Sequence, residues 1–169
     1  FTLTDDAVKT YDTNTKMNPP LRTRTDLEAI LEGLKDNTID CIASDHAPHS
    51  IEEKEVEFED APNGIVGLET QLGLVFTELY HKNILTLEQI IQKLAINPRK
   101  ILGIAVPLIQ VGEFANLTIF DPDDIWTVEV SKFFSKSKNS PFNKRLLQGK
   151  SLAVINKSKM FFNNKETLI

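Results

Sequence analysis

Asp45, His46 and His49 stand in the string Ser44-Asp45-His46-Ala47-Pro48-His49, directly after an apolar run at 39–43. An apolar run that stops at a carboxylate and two imidazoles reads as a buried strand delivering polar groups at its C-terminal end. That is where α/β barrels carry their chemistry. An Asp at such a place can bind a metal and move a proton. A His four residues on can reach a bound anion. An isolated Asp-His pair is more often a capped turn beside solvated imidazoles. Here the whole string, and the segments around it, favour chemistry.

Composition sets the outer bounds. The chain has 169 residues, 41% apolar and 25% charged, which suits one globular domain or a domain with an appendage. Its net charge of −5 offers no electrostatic footprint for nucleic acid or an anionic membrane. No apolar run reaches spanning length. The single Cys41 excludes an internal disulfide and a Cys-based zinc site, and a cytoplasmic setting is expected. The chain starts at Phe1 without a signal-type core, which reads as a piece of something longer.

Elements that must position the string follow from spacing. Pro19 and Pro20 make 16–22 an extended segment. Thr25 or Asp26 is expected to cap a helix with Leu27, Ile30, Leu31 and Leu34 on one face. The run 39–43 is expected as a strand. Residues 51–60 are acidic and without period, hence a surface loop. Leu68, Leu72, Val75, Phe76 and Leu79 mark the buried face of a helix. Thr86 and Gln89 form a capping box ahead of Ile90, Ile91, Leu94 and Ala95. Asn97-Pro98 restarts a short helix, with Asn97 as its cap, and Gly103 ends it.

From about Val111 the pattern becomes strand and turn. Strands are expected at 116–120 and 125–130, separated by the turn Asp121-Pro122-Asp123-Asp124. Residues 133–144 read as a Ser/Lys/Asn-rich loop. The runs 152–155 and 159–162 read as a hairpin around Asn156-Lys157-Ser158. A boundary near 105–112 divides residues 1–108 from a β unit at 109–169. Elsewhere, Arg22 is expected in an ion pair, His46 as a loop residue, His81 solvated, Cys41 buried and Trp126 in the core of the β unit.

Five segments then stand in one order: Lys16-Met17-Asn18-Pro19-Pro20-Leu21-Arg22, Ala43 to His49, Ala61-Pro62-Asn63-Gly64-Ile65-Val66-Gly67-Leu68-Glu69-Thr70, Ile96-Asn97-Pro98-Arg99, and Gly112 to Asp121. This order resembles the C-terminal part of dihydroorotases of the bacterial single-chain class, in the amidohydrolase superfamily. The resemblance covers nearly the whole chain. Asn18-Pro19-Pro20-Leu21-Arg22 together with Asp45-His46-Ala47-Pro48-His49 sets it apart from the dihydropyrimidinase and allantoinase patterns. It implies an α/β fold: the C-terminal portion of a (β/α)8 barrel, followed by part of a β-sandwich. It also implies a zinc centre of one or two ions at the strand ends, and reversible hydrolysis of L-dihydroorotate to N-carbamoyl-L-aspartate in pyrimidine biosynthesis.

By the same resemblance Asp45 is a metal ligand and the acid/base that carries the proton. Asn18 and His49 bind the substrate, and Asn63 and Gly64 contact it through the backbone. Asn63 stands where the family often has Phe, and Asn116 where it usually has Asp. The family's other metal ligands lie upstream of a position equivalent to Phe1. The chain is therefore expected to start past the sixth barrel strand, to be inactive alone, and to associate with the missing N-terminal portion or as a homo-oligomer. Another class of reading is a non-catalytic dihydroorotase-like scaffold that partners an aspartate transcarbamoylase. Joint retention of Asp45, His49 and Asn18 argues against it.

Overall fold

The computed structural model describes residues 1–162 and the backbone of 165–168. Residues 163, 164 and 169, which the expected β unit included, lie outside the described residues. Two 3-10 turns, Asp5–Thr10 and Thr13–Thr15, open the chain. The helices follow as α1 (Arg24–Lys35), α2 (Ile51–Lys54), α3 (Leu68–Val75), α4 (Leu87–Ile91) and α5 (Asn97–Ile101). A π turn, Phe76–Tyr80, prolongs α3, and another, Gln92–Ile96, joins α4 to α5. The sheet is an antiparallel meander in the order β1 (Asn116–Thr127), β2 (Leu146–Asn156), β3 (Lys159–Phe162), β4 (Lys165–Leu168). A 3-10 turn at Val130–Lys132 lies between β1 and β2.

Local chemistry accounts for most helix ends. Thr86 and Gln89 form the expected capping box. At α1 the cap is Thr23, two residues before Thr25 and three before Asp26, the expected caps. Asp26 is the third helical residue and reaches back to the Thr23 hydroxyl and amide, bonds that hold its carboxyl below the usual carboxylate range. Gly103, at φ 66°, closes α5 as expected. Asn97 does not cap a new helix. The backbone stays helical through it, and its side chain donates to the Asp40 carbonyl instead.

Two apolar clusters share α3. Leu34, Val75, Leu79, Leu85 and Ile90 bury the faces of α1, α3 and α4, with Ile39 and Ile42 packed against them. Leu74, Val128, Phe142 and Leu147 join α3 to the β unit, with Trp126 alongside. Phe76 is fully buried and stacks near Phe120, with ring centroids 5.2 Å apart. Leu68, expected on the buried face, is exposed. It lines an open groove with Ile42, Ala43, Ser44, Leu72 and Leu94.

The run 39–43 joins no ladder, against the strand expectation. Among the described residues the nearest parallel pairing is one isolated bridge beyond the run, His46 with Ile65. Helix α4 and its continuation supply the missing partners. The Ile42 amide donates to the Lys93 carbonyl, and the Lys93 ammonium, 1% exposed, donates to the Ile39 carbonyl at 2.7 Å and to Asn37 at 3.1 Å.

The β unit departs from expectation in two respects. Asp121-Pro122-Asp123-Asp124 is not a turn between two strands but an irregularity inside one. Asp121 and Ile125 pair with Lys150 and Gln148 of the same neighbour. Pro122 has no N–H for the ladder, and the Asp121 carboxylate accepts the Asp123 amide, so the intervening residues loop out. Val130 lies beyond the strand in the 3-10 turn. Asn156 pairs with Lys159 across the expected hairpin, with Lys157 at φ 56°.

Residues 51–60 are not wholly irregular. Ser50 and Glu53 box the start of α2, which turns Lys54 inward to 6% exposure. Its ammonium donates to the carbonyls of Pro62 (2.9 Å) and Gly64 (3.2 Å). Burial lowers its pKa from the ordinary 10.5, and Lys16 pushes the same way while Asp12 opposes.

Two expectations follow. Gly149 has φ 96°, and an added Cβ would lie 2.5 Å from the Phe76 Cβ. Gly149→Ala should lower unfolding free energy by roughly 2–3 kcal/mol in a urea titration; an unchanged midpoint would refute the packing described. Lys54→Met should cost about 1–3 kcal/mol, because the Pro62 carbonyl loses its donor. With Lys54 lowered in the folded state, the unfolded chain binds more protons just below 10.5. Wild-type stability should therefore gain on Lys54→Met as pH rises through that window, and parallel pH curves for the two proteins would contradict this burial.

Candidate active site

Residues 44–50 leave the helical layer as an irregular segment and run beside 61–67. The Ala47 amide donates to the Ile65 carbonyl at 2.9 Å, and His46 bridges Ile65. Asp45, between these contacts and the groove residue Ser44, is exposed. His46 turns towards the start of α3, where Gly67 gives no side-chain cap. Its Nδ1 accepts the amides of Gly67 (3.2 Å) and Leu68 (3.4 Å), so that nitrogen carries no proton and the imidazole serves as the helix cap.

His49 meets the 62–64 segment directly. Its Nε2 lies 2.9 Å from the Asn63 carbonyl, an acceptor only, so Nε2 is the protonated nitrogen. Nδ1 lies 3.7 Å from the Glu53 carboxylate. Gly64 follows at φ 109°, where an added Cβ would come within 2.5 Å of the Ala47 Cβ. Its amide donates to the Lys16 carbonyl at 2.9 Å, which ties the segment leading to Asn18 against 62–64. Asn18 itself is exposed and precedes a cis peptide to Pro19.

The structure thus brings His49, Asn63 and Gly64 into contact and holds the Asn18 segment to them through Lys16. Asp45 is linked to the same group through Ala47. Here an imidazole N–H stands against a stretch of main chain, on a segment that also bears the exposed Asp45, and the Lys16 bond ties in the segment that leads to Asn18. These residue types can bind an anion and a planar amide and can exchange a proton.

Asn139 and Lys54 were missed in the sequence. Asn139, 5% exposed, donates through Nδ2 to the carbonyls of Ala47 (2.9 Å) and Gly64 (3.2 Å), and its Oδ1 accepts the His49 amide (3.3 Å). Its carbonyl accepts the Val66 amide. Lys54 holds the same segment from the other side. The signal for Lys54 was the Ser50/Glu53 box inside an acidic run; for Asn139 only the apolar Phe142 marked its loop as anchored.

Other expected residues sort as follows. Arg22 pairs with Asp26 at 3.7 Å, as expected. Trp126 is packed against the second cluster and donates to the Gly149 carbonyl. Cys41 is half-buried. His81 is not simply solvated: its Nε2 lies 2.8 Å from the Pro122 carbonyl and 3.9 Å from the Asp123 carboxylate, which ties the end of the π turn to the irregularity in β1. Among the described residues no three His, Cys, Asp or Glu side chains converge to hold a metal. Asp45 is a single donor, whereas a catalytic zinc takes about three protein ligands, so these residues alone do not make a metal centre. Among the described residues no helix is long and apolar enough to cross a membrane.

Comparison with known proteins bears on this geometry. The chain is 57% identical over 142 residues to a dihydroorotase of Geobacter metallireducens, covering 84% of this chain and 33% of the relative. It is 49% identical over 163 residues to a dihydroorotase of Clostridioides difficile, covering 96% and 38%. Among solved structures, an L-hydantoinase (dihydropyrimidinase) from Arthrobacter aurescens superposes with a TM-score of 0.88 at 31% identity, over 99% of this chain and 38% of that one. The chain thus spans between 33% and 38% of the length of these relatives. The sequence model of the amidohydrolase family matches residues 4–160, and the chain belongs to that family.

Proposed function

We propose that this chain is the part of a dihydroorotase that carries the proton-moving aspartate and several substrate-binding groups. The complete enzyme would interconvert L-dihydroorotate and N-carbamoyl-L-aspartate. The observation that carries this reading is the 57% identity over 142 residues to a dihydroorotase. The contact between His49 Nε2 and the Asn63 carbonyl supports it, because it gathers residues from separate segments at one place. On the same reading residues 1–108 belong to a (β/α)8 barrel and residues 109–169 to a β-sandwich. The TM-score of 0.88 across 99% of the chain supports that architecture.

Hydrolysis adds water across the ring amide. The water oxygen joins the carbonyl carbon, the C–N bond breaks, and a proton passes to the ring nitrogen. Asp45 takes the proton from the attacking water and returns it to that nitrogen; ring closure runs the same transfer backwards. Asn18, with a donor and an acceptor on one amide, pairs with the amide edge of the ring. The His49 N–H holds the substrate carboxylate. Asn63 and Gly64 present main chain, and Gly64, lacking a side chain, lets Ala47 pack against it and keep that main chain in place. Asp45 is also one ligand of a zinc centre whose remaining ligands come from outside this chain. Zinc, when bound, makes water acidic enough to lose its proton near neutral pH. Completion of the site then requires association with the rest of the enzyme, and the 169-residue chain is inactive alone.

The test measures zinc content and dihydroorotate hydrolysis, on the 169-residue chain and on the complete protein. Turnover should appear only in the complete protein. There Asp45→Asn should lower kcat by about 10³-fold, while Asn18→Ala and His49→Ala should raise KM about tenfold with a smaller loss of kcat. Near-normal turnover by Asp45→Asn would refute its acid/base role. Hydrolysis of hydantoin with none of dihydroorotate would refute the substrate.

A further inference from the structure

We propose that Asn139, from the loop between β1 and β2, is a positioning residue for substrate binding that holds His49 and Gly64 in one fixed arrangement. The inference rests on the assignment of His49, Asn63 and Gly64 to substrate. Both ends of the Asn139 amide are in use. Its Nδ2 faces the carbonyls of Ala47 and Gly64, and its Oδ1 faces the His49 amide. Two acceptors on one side and a donor on the other fix the orientation of the amide. Among side chains of this length only Asn meets that pattern. Asp would set an oxygen against two carbonyls, and Leu would leave the Ala47 carbonyl and the His49 amide without these partners.

The residue is itself anchored, so it can act as a reference point. The Glu69 carboxylate of α3 accepts the amides of Phe134 (2.8 Å) and Ser135 (3.0 Å). The Lys138 ammonium donates to the carbonyls of Phe133 and Ser135. Phe142 is buried with Leu74 of α3. The same helix receives the His46 imidazole at its first turn. Helix α3 therefore fixes both the loop that bears Asn139 and the segment that bears His49. The side-chain hydrogen bonds of Asn139 go to Ala47, Gly64 and His49, and none goes to Asp45, Ser44 or His46. Loss of Asn139 should thus displace groups that hold substrate while sparing the group that moves the proton.

The experiment uses the complete enzyme with Asn139→Ala, His49→Ala and the double variant, below their unfolding midpoints and at matched zinc content. Asn139→Ala should raise KM for dihydroorotate about tenfold, as loss of charge-assisted contacts does. Its kcat should stay within about threefold. In the His49→Ala background the same change should add clearly less than about tenfold to KM, because the part of its effect that runs through the His49 ring is already lost while the part that runs through Gly64 remains. An unchanged KM, a fall in kcat at unchanged KM, or effects that multiply in full would each overturn the proposal. If Asn139→Ala does not fold, Asn139→Ser keeps a small polar group in the buried position and is judged by the same criteria. If His49→Ala leaves KM unchanged, the substrate assignment fails and this proposal with it. If His49→Ala weakens binding and Asn139→Ala does not, only this proposal fails.

Discussion

Each non-proline residue carries a main-chain donor and acceptor, and burial without partners costs about 1–3 kcal/mol for each group left alone. Among the described residues, segments 39–49 and 61–67 share one isolated bridge, so no ladder meets that demand. Side chains from elsewhere meet it instead. Lys93 and Asn97 reach the carbonyls of Ile39 and Asp40. Lys54 and Asn139 reach those of Pro62, Ala47 and Gly64. The main chain around Ala47 and Gly64, beside His49 and Asn63, hangs from these bonds.

Helix α3 gives that network a base. It has apolar faces on two sides, one towards α1 and α4 and one towards the sheet. Its first turn takes the His46 imidazole and its Glu69 takes the loop that bears Asn139. Residues far apart in sequence are therefore referred to one rigid body, and the β unit contributes to the arrangement of the site as well as covering a helix.

What could be read in the sequence was what local chemistry determines. The Thr86/Gln89 box, the α1 stripe of Leu27 and Leu34, the Gly103 stop and the hairpin across Lys157 follow from neighbours a few residues away. The run 39–43 misled because pairing and full burial need strands beside it; without them Ile39, Cys41 and Ile42 are half-buried and Asp40 and Ala43 exposed. Asp121 to Asp124 misled because turn residues also suit an irregularity whose flanks pair with one neighbour. Asp45, Asn18, His49, Asn63 and Gly64 stood out through their motifs. Lys54 and Asn139 did not, since their partners lie across the fold: from Asn139 to Ala47 the separation is 92 residues. A lysine among glutamates and an asparagine among serines look solvated until the fold closes over them.

The His49 Nε2–H is already engaged by the Asn63 carbonyl. Any ligand that recruits this donor must first evict a resident acceptor, so binding is an exchange and its free energy a difference between two hydrogen bonds. An amide carbonyl as occupant is a modest competitor. A neutral ligand oxygen would gain almost nothing by replacing it, whereas a carboxylate would gain the added strength of a charge-assisted bond. If His49 binds substrate as proposed, the internal contact would act as a threshold that favours anions over neutral look-alikes; in the structure it holds the ring against the Asn63 carbonyl.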